Sequence, residues 1–132
     1  HTAYRRQRQM CIRDRRHVEE GYLLVRTLAW LDGRPAGYTQ ILLASDAPQM
    51  ALQDDSLVDR SCRDAGVARA LKVVNLEHLQ SLPQASATQW VQSYCAETNT
   101  DILGRKAALG FRCVDVMTAL EGRPEAAALR RT

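Results

Sequence analysis

The pattern of apolar and polar residues changes along the chain, and its first regular part favours strands. Tyr22 to Leu31 is rich in Leu, Val, Thr and Trp, as strands commonly are, and Ala36 to Leu43 is a second apolar run that contains Tyr38 and Ile41. Between them, Asp32-Gly33-Arg34-Pro35 carries turn residues, so the two strands are expected to form an antiparallel hairpin. Met50 to Val58 predicts a third strand.

The period of the pattern becomes helical from Val67 to the region closed by Pro83, which predicts an amphipathic helix. The predicted apolar face holds Val67, Ala70, Leu71 and Val74, and the other face holds Arg69, Lys72, Asn75 and His78. Gln89 to Cys95 then favours a further strand.

A second helix is predicted next, because Thr98-Asn99-Thr100-Asp101 offers capping residues and Gly110 suits a helix end. Phe111 to Leu120 reads as a last strand, and the Ala-rich tail begins after Pro124. A hairpin that leads into strand–helix–strand implies an α/β fold (α+β, mixed sheet) with helices packed on the sheet.

Composition narrows the class of protein. The chain has 132 residues, of which 45% are hydrophobic and 25% charged, as expected for one soluble domain. It contains no apolar run long enough for a membrane span and no leader-like start, so we expect a cytoplasmic protein without a membrane partner. The four cysteines lack close spacing and the histidines are scattered, which predicts reduced thiols and no metal site.

The positive charge is concentrated at the start of the chain. Residues 1–16 carry six arginines and one acid, whereas the remaining residues carry a net charge of −2. The segment resembles a peptide translated from sequencing-adaptor DNA, so we treat it as non-native or disordered and expect the true N-terminus to be missing. The alternative is a basic arm that binds nucleic acid. We expect no nucleic-acid partner, since no basic face accompanies the segment elsewhere.

The connection between the third strand and the first helix is the part that suggests chemistry. Arg63 precedes Gly66 at the predicted start of the helix, and the small Ala68 follows. Unpaired N–H groups and the helix dipole attract anions such as pyrophosphate, and Gly66 lets a phosphate approach the backbone. There is no Gly-Lys-Ser/Thr sequence and no three-glycine dinucleotide pattern. The alternative is a helix start that merely contains glycine.

Arg63-x-x-Gly66-x-Ala68 resembles the Arg/Gln-x-x-Gly-x-Gly/Ala signature of the GNAT superfamily of N-acetyltransferases. A second segment, from Asn99 to Leu109-Gly110-Phe111, resembles the late Asn, helix and Leu-Gly-Phe of the same family. The resemblance covers about residues 20–120 and implies a partial GNAT-like domain over 17–122, followed by a tail at 123–132.

The resemblance implies acetyl-CoA as co-substrate, bound where the strand ending at Val58 parts from the next parallel strand. By position, the backbone of Leu57 and Val58 would hold the pantetheine arm and the thioester oxygen, and the turn from Arg63 would hold the pyrophosphate. The implied cofactor-binding residues are Leu57, Val58, Arg63, Asp64, Ala65, Gly66, Val67, Ala68 and Asn99. The alternative for Asn99 is a residue that only starts the second helix.

The implied reaction is direct attack of an amine on the thioester, which needs a base near the parting strands. Asp54, Asp55 and Glu97 are the candidate bases, with surface acids as the alternative for each. Alternation along a strand should send only one of Asp54 and Asp55 towards the cleft. The late helix lacks the Tyr that serves many family members as acid, which leaves Tyr94 as a candidate acid.

Partners follow from the resemblance only in outline. The acceptor is expected to be a small-molecule or peptide amine, and a homodimer is left open. Domains of this family usually begin with a strand and two helices that wall the acceptor pocket, and we expect that part to be missing here, so the sequence does not name the acceptor. The absent Tyr supports the alternative of a non-catalytic acyl-CoA-binding module.

Overall fold

The computed structural model describes residues 15–16, 18–63 and 65–123. The chain forms two compact units, one up to Ala96 and one from Glu97 onwards. Most of the predicted non-native segment 1–16 and most of the tail 123–132 lie outside the described residues.

The first unit is built on a four-stranded mixed sheet in the order β1-β2-β3-β4. Its strands are β1 (Tyr22–Leu31), β2 (Arg34–Ala44), β3 (Met50–Val58) and β4 (Trp90–Gln92). The first three pair antiparallel, and β4 pairs parallel to β3. The predicted mixed sheet is confirmed, and β1 and β3 have the predicted bounds.

The hairpin between β1 and β2 turns at Asp32 and Gly33, whose φ angles are 50° and 75°. Two positive φ values suit the tight turns whose twist matches that of the strands, and Gly and Asp tolerate them. Asp32 and Gly33, which the sequence predicted as turn residues, therefore form the turn of the hairpin.

One long helix, α1 (Val67–Ser81), joins β3 to the short turn Pro83–Ala85 that precedes β4. Its buried residues are Leu71, Asn75 and Leu79, spaced four apart. Around Leu79 the core of this unit consists of Val25, Ile41, Leu43, Ala51 and Ala85.

The predicted face of α1 was partly wrong. Val74, assigned to the apolar face, is about half exposed, whereas Asn75, assigned to the polar face, is fully buried. Asn75 accepts a hydrogen bond from the Thr27 hydroxyl at 2.9 Å and donates to the Val25 carbonyl at 3.3 Å. A buried amide is tolerated when it is paired in this way, and hydrophobicity alone does not reveal the pairing.

The second unit contains the helix α2 (Thr100–Ala108). Asn99 is its N-cap, and Gly110 has the φ of 88° that suits a helix end. Hydrogen bonds from Gly110 to Ala107 and from Phe111 to Lys106 complete a Schellman motif, which confirms the predicted stop.

The predicted last strand is wrong for the residues described. Phe111 to Leu120 takes part in no strand ladder there, and Val114 and Leu120 are 78% and 93% exposed. The prediction considered only this segment of the sequence, whereas a strand also needs a neighbour to pair with.

Candidate functional site

The parallel strands β3 and β4 part early. Their ladder has three pairs, the last joining Leu52 to Gln92, and β3 continues six residues further to Val58. β4 is shorter than the predicted 89–95, so the opening begins nearer the start of β3 than the sequence indicated. Crevices at the carboxyl ends of parallel strands are where such sheets bind ligands.

A β-bulge lies in this continuing part of β3. The pairing runs from Thr39↔Ser56 directly to Ile41↔Gln53, so one residue of β2, Gln40, faces both Asp54 and Asp55. A bulge breaks the alternation of side chains along a strand. The alternation that was expected to send only one of Asp54 and Asp55 towards the cleft is therefore interrupted at this point of β3.

Both aspartates contact side chains on the sheet face turned away from α1, here called the far face. Gln40 donates to the Asp54 carboxylate at 2.6 Å, and the Tyr38 hydroxyl donates to the Asp55 carboxylate at 3.3 Å. On β1, Arg26 donates to the Gln40 oxygen at 2.6 and 3.0 Å and stacks over the Tyr38 ring at 5.6 Å.

This far-face group thus consists of one arginine, two aspartates and the Tyr and Gln between them. No motif in the sequence marks Arg26, Tyr38 or Gln40 as site residues. Polar residues two apart inside apolar strands were the available signal, but their pairing depends on the register of three strands. The group offers carboxylates next to the opening between β3 and β4.

The end of β3 is fixed to its neighbours before the connection to α1 begins. The Asp59 N–H donates to the Ala36 carbonyl at 2.7 Å. Hydrogen bonds from the Ser61 hydroxyl and the Ser61 N–H lower the pKa of Asp59, with a smaller contribution from the charge of Arg63. The ionised Asp59 therefore caps the short turn Arg60–Cys62 and fixes the start of the connection.

Gly66 begins α1 in a left-handed conformation, with φ 74° and ψ 9°, and no side chain caps the helix there. A Cβ built on Gly66 would meet no atom of the described residues within 4 Å, so these residues leave space at the start of the helix. An open cavity of about 240 Å³ lies beside it, lined by Gly66, Val67 and Trp30 among others. The uncapped N–H groups of the first turn therefore face space that an anion could occupy.

Of the predicted cofactor residues around this turn, Arg63 and Ala65 are exposed and Val67 and Ala68 are half-buried. Asp64 lies outside the described residues. The turn fits a phosphate group, since it combines a glycine in the left-handed region, an uncapped helix start and an exposed arginine.

Gly37 is a further residue that sequence reasoning missed. A Cβ there would lie 2.4 Å from the Leu57 carbonyl oxygen and 3.1 Å from the Val58 Cα. Those are backbone atoms of the strand end whose N–H and C=O groups were assigned to the pantetheine arm. Only glycine lets β2 approach the end of β3 this closely.

The remaining predicted residues are less directly placed. Tyr94 follows β4 and is 59% exposed. Glu97 and Asn99 belong to the second unit, where Glu97 is exposed and the Asn99 side chain accepts the Ile102 N–H at 3.3 Å. Asn99 thus starts α2, as its alternative reading has it. Among the described residues, no three His, Cys, Asp or Glu side chains are grouped to hold a metal ion.

A β-hairpin followed by a parallel strand–helix–strand unit, with a bulge and a glycine-started helix at the parting strands, defines an acyl-CoA N-acyltransferase fold. The chain has the fold of the GNAT superfamily of N-acetyltransferases, and solved structures of that superfamily match most of its length. The resemblance stated from Arg63-x-x-Gly66-x-Ala68 is confirmed.

Three solved structures illustrate the similarity. A tandem GNAT protein from the clavulanic acid biosynthesis pathway is 32% identical, with a TM-score of 0.67, over 83% of this chain and 32% of its own. The aminoglycoside N-acetyltransferase AAC(6')-Iy, in complex with CoA, is 18% identical, with a TM-score of 0.66, over 92% and 91%. The aminoglycoside 6'-N-acetyltransferase AAC(6')-IG from Acinetobacter haemolyticus is 16% identical, with a TM-score of 0.65, over 89% and 81%.

This chain therefore spans about a third of the tandem protein. No protein-family profile and no curated protein matches the sequence. In the part of the chain that the structure describes, no helix is long and apolar enough to cross a membrane.

Proposed function

We propose that this protein is an acetyl-CoA-dependent N-acetyltransferase that acts on a small-molecule amine. The observation that carries the proposal is the parting of β3 from β4 after Leu52 and Gln92, directly before the bulge. Beyond that point, the edge of β3 from Gln53 to Val58 has no ladder with β4 and can hydrogen-bond an extended ligand.

The residues present suit acetyl-CoA. The N-terminal turn of α1 provides N–H groups and an open approach at Gly66 for the pyrophosphate, with Arg63 as a nearby cation. Leu57 and Val58 provide backbone groups at the strand edge for the pantetheine arm. Support also comes from AAC(6')-Iy, which has been solved with CoA and with a bisubstrate analogue, CoA-S-monomethyl-acetylneamine.

The chemistry assigned to the site is direct transfer. The acceptor nitrogen gives a proton to a carboxylate and forms a bond to the thioester carbonyl carbon, and the carbon–sulfur bond breaks. Backbone donors near Val58 would stabilise the negative charge on the carbonyl oxygen, and the departing thiolate takes a proton. Asp54 and Asp55 are the favoured bases, because the bulge brings both to the far face. Glu97 is kept as a further candidate base and Tyr94 as a candidate acid, after Asp54 and Asp55.

An amine acceptor suits the charge of this site. Two carboxylates and one guanidinium leave the far-face group with an excess of negative charge, which attracts a protonated amine. The aminoglycosides bound by the structural neighbours belong to this chemical class, and we propose amino-bearing small molecules as the first acceptors to test.

Thermal unfolding with and without acetyl-CoA tests cofactor binding. A ligand at about 100 times its Kd adds about 2.7 kcal/mol, which raises the Tm of a domain of this size by roughly 10 °C. Gly66→Glu should abolish the shift by placing a negative charge where the pyrophosphate binds. Gly66→Asn is the matched control, since Asn tolerates the left-handed conformation and adds no charge.

Steady-state acetylation of amines then tests transfer. If Gly66→Glu does not reduce the Tm shift caused by acetyl-CoA, the turn at Gly66 is not part of the cofactor site. A protein that binds acetyl-CoA and acetylates none of the amines would be a non-catalytic acyl-CoA-binding module instead.

A further inference from the structure

We propose that Gln40 is a positioning residue that holds Asp54 in place as the general base, and that Arg26 sets the orientation of the Gln40 amide. The inference deepens the proposed function and rests on it, because it concerns the base of the same transfer reaction. The inference is based on a chain of hydrogen bonds across three strands, which runs from Arg26 on β1 through Gln40 on β2 to Asp54 on β3.

The first step is the orientation of the amide. Gln40 is fully buried in a central strand, and a buried amide is stable only when its polar atoms are paired. Arg26 donates to the Gln40 Oε1 from Nε at 3.0 Å and from Nη2 at 2.6 Å. An arginine side chain can only donate, so the amide must turn its oxygen towards β1 and its nitrogen towards β3.

The second step is the effect on the carboxylate. The Gln40 Nε2 donates to the Asp54 Oδ2 at 2.6 Å, and the Tyr38 hydroxyl donates to the Asp55 Oδ2 at the longer distance of 3.3 Å. Asp54 is therefore held by the shorter bond and by a buried donor whose direction is already fixed. Precise placement matters to a base, because a displacement of about 1 Å can cost on the order of 100-fold in rate.

Steady-state kinetics of the full chain with acetyl-CoA and an accepted amine tests the inference. Gln40→Met removes the donor and keeps the length of the side chain, and Gln40→Glu also keeps an acceptor for Arg26. We expect either change to lower kcat by about tenfold or more and to leave the KM for acetyl-CoA within about twofold. Gln80→Met, on the exposed side of α1, is the matched control and should leave kcat unchanged.

The decisive comparison uses Asp54→Asn. If Gln40 acts through Asp54, Gln40→Met should have less than about a twofold effect on kcat in the Asp54→Asn background. A wild-type kcat in both Gln40 variants, or an equal loss in the two backgrounds, overturns the inference while the proposed function stands. A wild-type protein that binds acetyl-CoA and transfers to no amine defeats the proposed function and this inference together.

A second readout does not depend on turnover. The NMR signals of the Gln40 side-chain amide should shift in Asp54→Asn and in Arg26→Met. The control is Arg34→Met, at the exposed start of β2, which should leave these signals unchanged. Arg26→Lys keeps a donor and should recover part of the kcat lost in Arg26→Met. If the amide signals are unchanged in both Asp54→Asn and Arg26→Met, the chain of hydrogen bonds does not exist and the inference is overturned.

Discussion

The side-chain amide of Gln53 donates a hydrogen bond to the main-chain carbonyl of Gln40 at 2.9 Å, across the bulge between β2 and β3. The same nitrogen also donates to the Thr39 hydroxyl at 3.0 Å. Gln53 is buried on the face covered by α1, opposite to Asp54 and Asp55. A buried amide on one face thus stabilises the irregular pairing that brings two carboxylates together on the other.

Replacing Gln53 by Leu should therefore cost both stability and the bulge. The change leaves a buried carbonyl and a buried hydroxyl without this donor, which costs about 1–3 kcal/mol. Urea unfolding measures the loss, and NMR contacts across β2 and β3 should show altered pairing at Gln40. Gln49→Leu, at an exposed position before β3, is the matched control. A Gln53→Leu protein with unchanged stability and cross-strand contacts would contradict this account.

Gly37→Ala should push β2 away from the end of β3. The added Cβ would overlap the Leu57 carbonyl oxygen, and backbone atoms cannot rotate away as a flexible side chain can. We expect a loss of about 1–3 kcal/mol and a smaller Tm shift on addition of acetyl-CoA. Gly104→Ala is the control: a Cβ there meets no atom of the described residues within 4 Å, so the change should stabilise the protein by about 0.5–1 kcal/mol. Equal effects at the two glycines would show that the contact is unimportant.

Asn75→Leu should destabilise the protein although it makes α1 more hydrophobic. The change removes the partner of the Thr27 hydroxyl and of the Val25 carbonyl inside the core, at a cost of about 1–3 kcal/mol. Thr27→Val combined with Asn75→Leu should cost less than the two single changes added together, because one hydroxyl is no longer left unpaired. Gln80→Leu on the exposed side provides the comparison. Additive losses would mean that the two residues are independent.

Ser61→Ala should raise the pKa of Asp59 from its lowered value, because the hydroxyl is the largest of the groups that lower it. A pKa lowered by folding means that ionised Asp59 stabilises the native state at neutral pH. That contribution is lost as the pH falls through the pKa of folded Asp59. A ¹³C NMR titration of the carboxyl group measures the shift, with Ser81→Ala as control. An unmoved titration of Asp59 would disprove the assigned cause.

Part of the candidate site was readable from the sequence because it depends on local backbone properties. Gly66 starts α1 and Gly110 ends α2, and each adopts the positive φ that glycine favours. The bounds of β1 followed from its content of Leu, Val, Thr and aromatic residues, and the bounds of β3 were also predicted from the local sequence. The alternative for Asn99, a residue that starts α2, agrees with its side-chain cap on that helix, and its role in cofactor binding stays a prediction.

The errors share a different cause. Asn75 was assigned to the polar face because it is polar, and the last strand was assigned from residues 111–120 alone. Both assignments needed information about what lies opposite: Thr27 for Asn75 and a pairing strand for 111–120. Local patterns do not specify neighbours that come from distant parts of the chain.

The sequence by itself determined the order of the elements from β1 to α2, the glycine-started helix and the resemblance to the GNAT superfamily, since these rest on residues close together in the chain. Tertiary structure decided which side chains meet at the site. The register of β2 against β3 inserts the bulge, turns Asp54 and Asp55 to one face and sets Gln40 between Arg26 and Asp54. A shift of one residue in that register would have reversed every one of those faces, because side chains alternate along a strand.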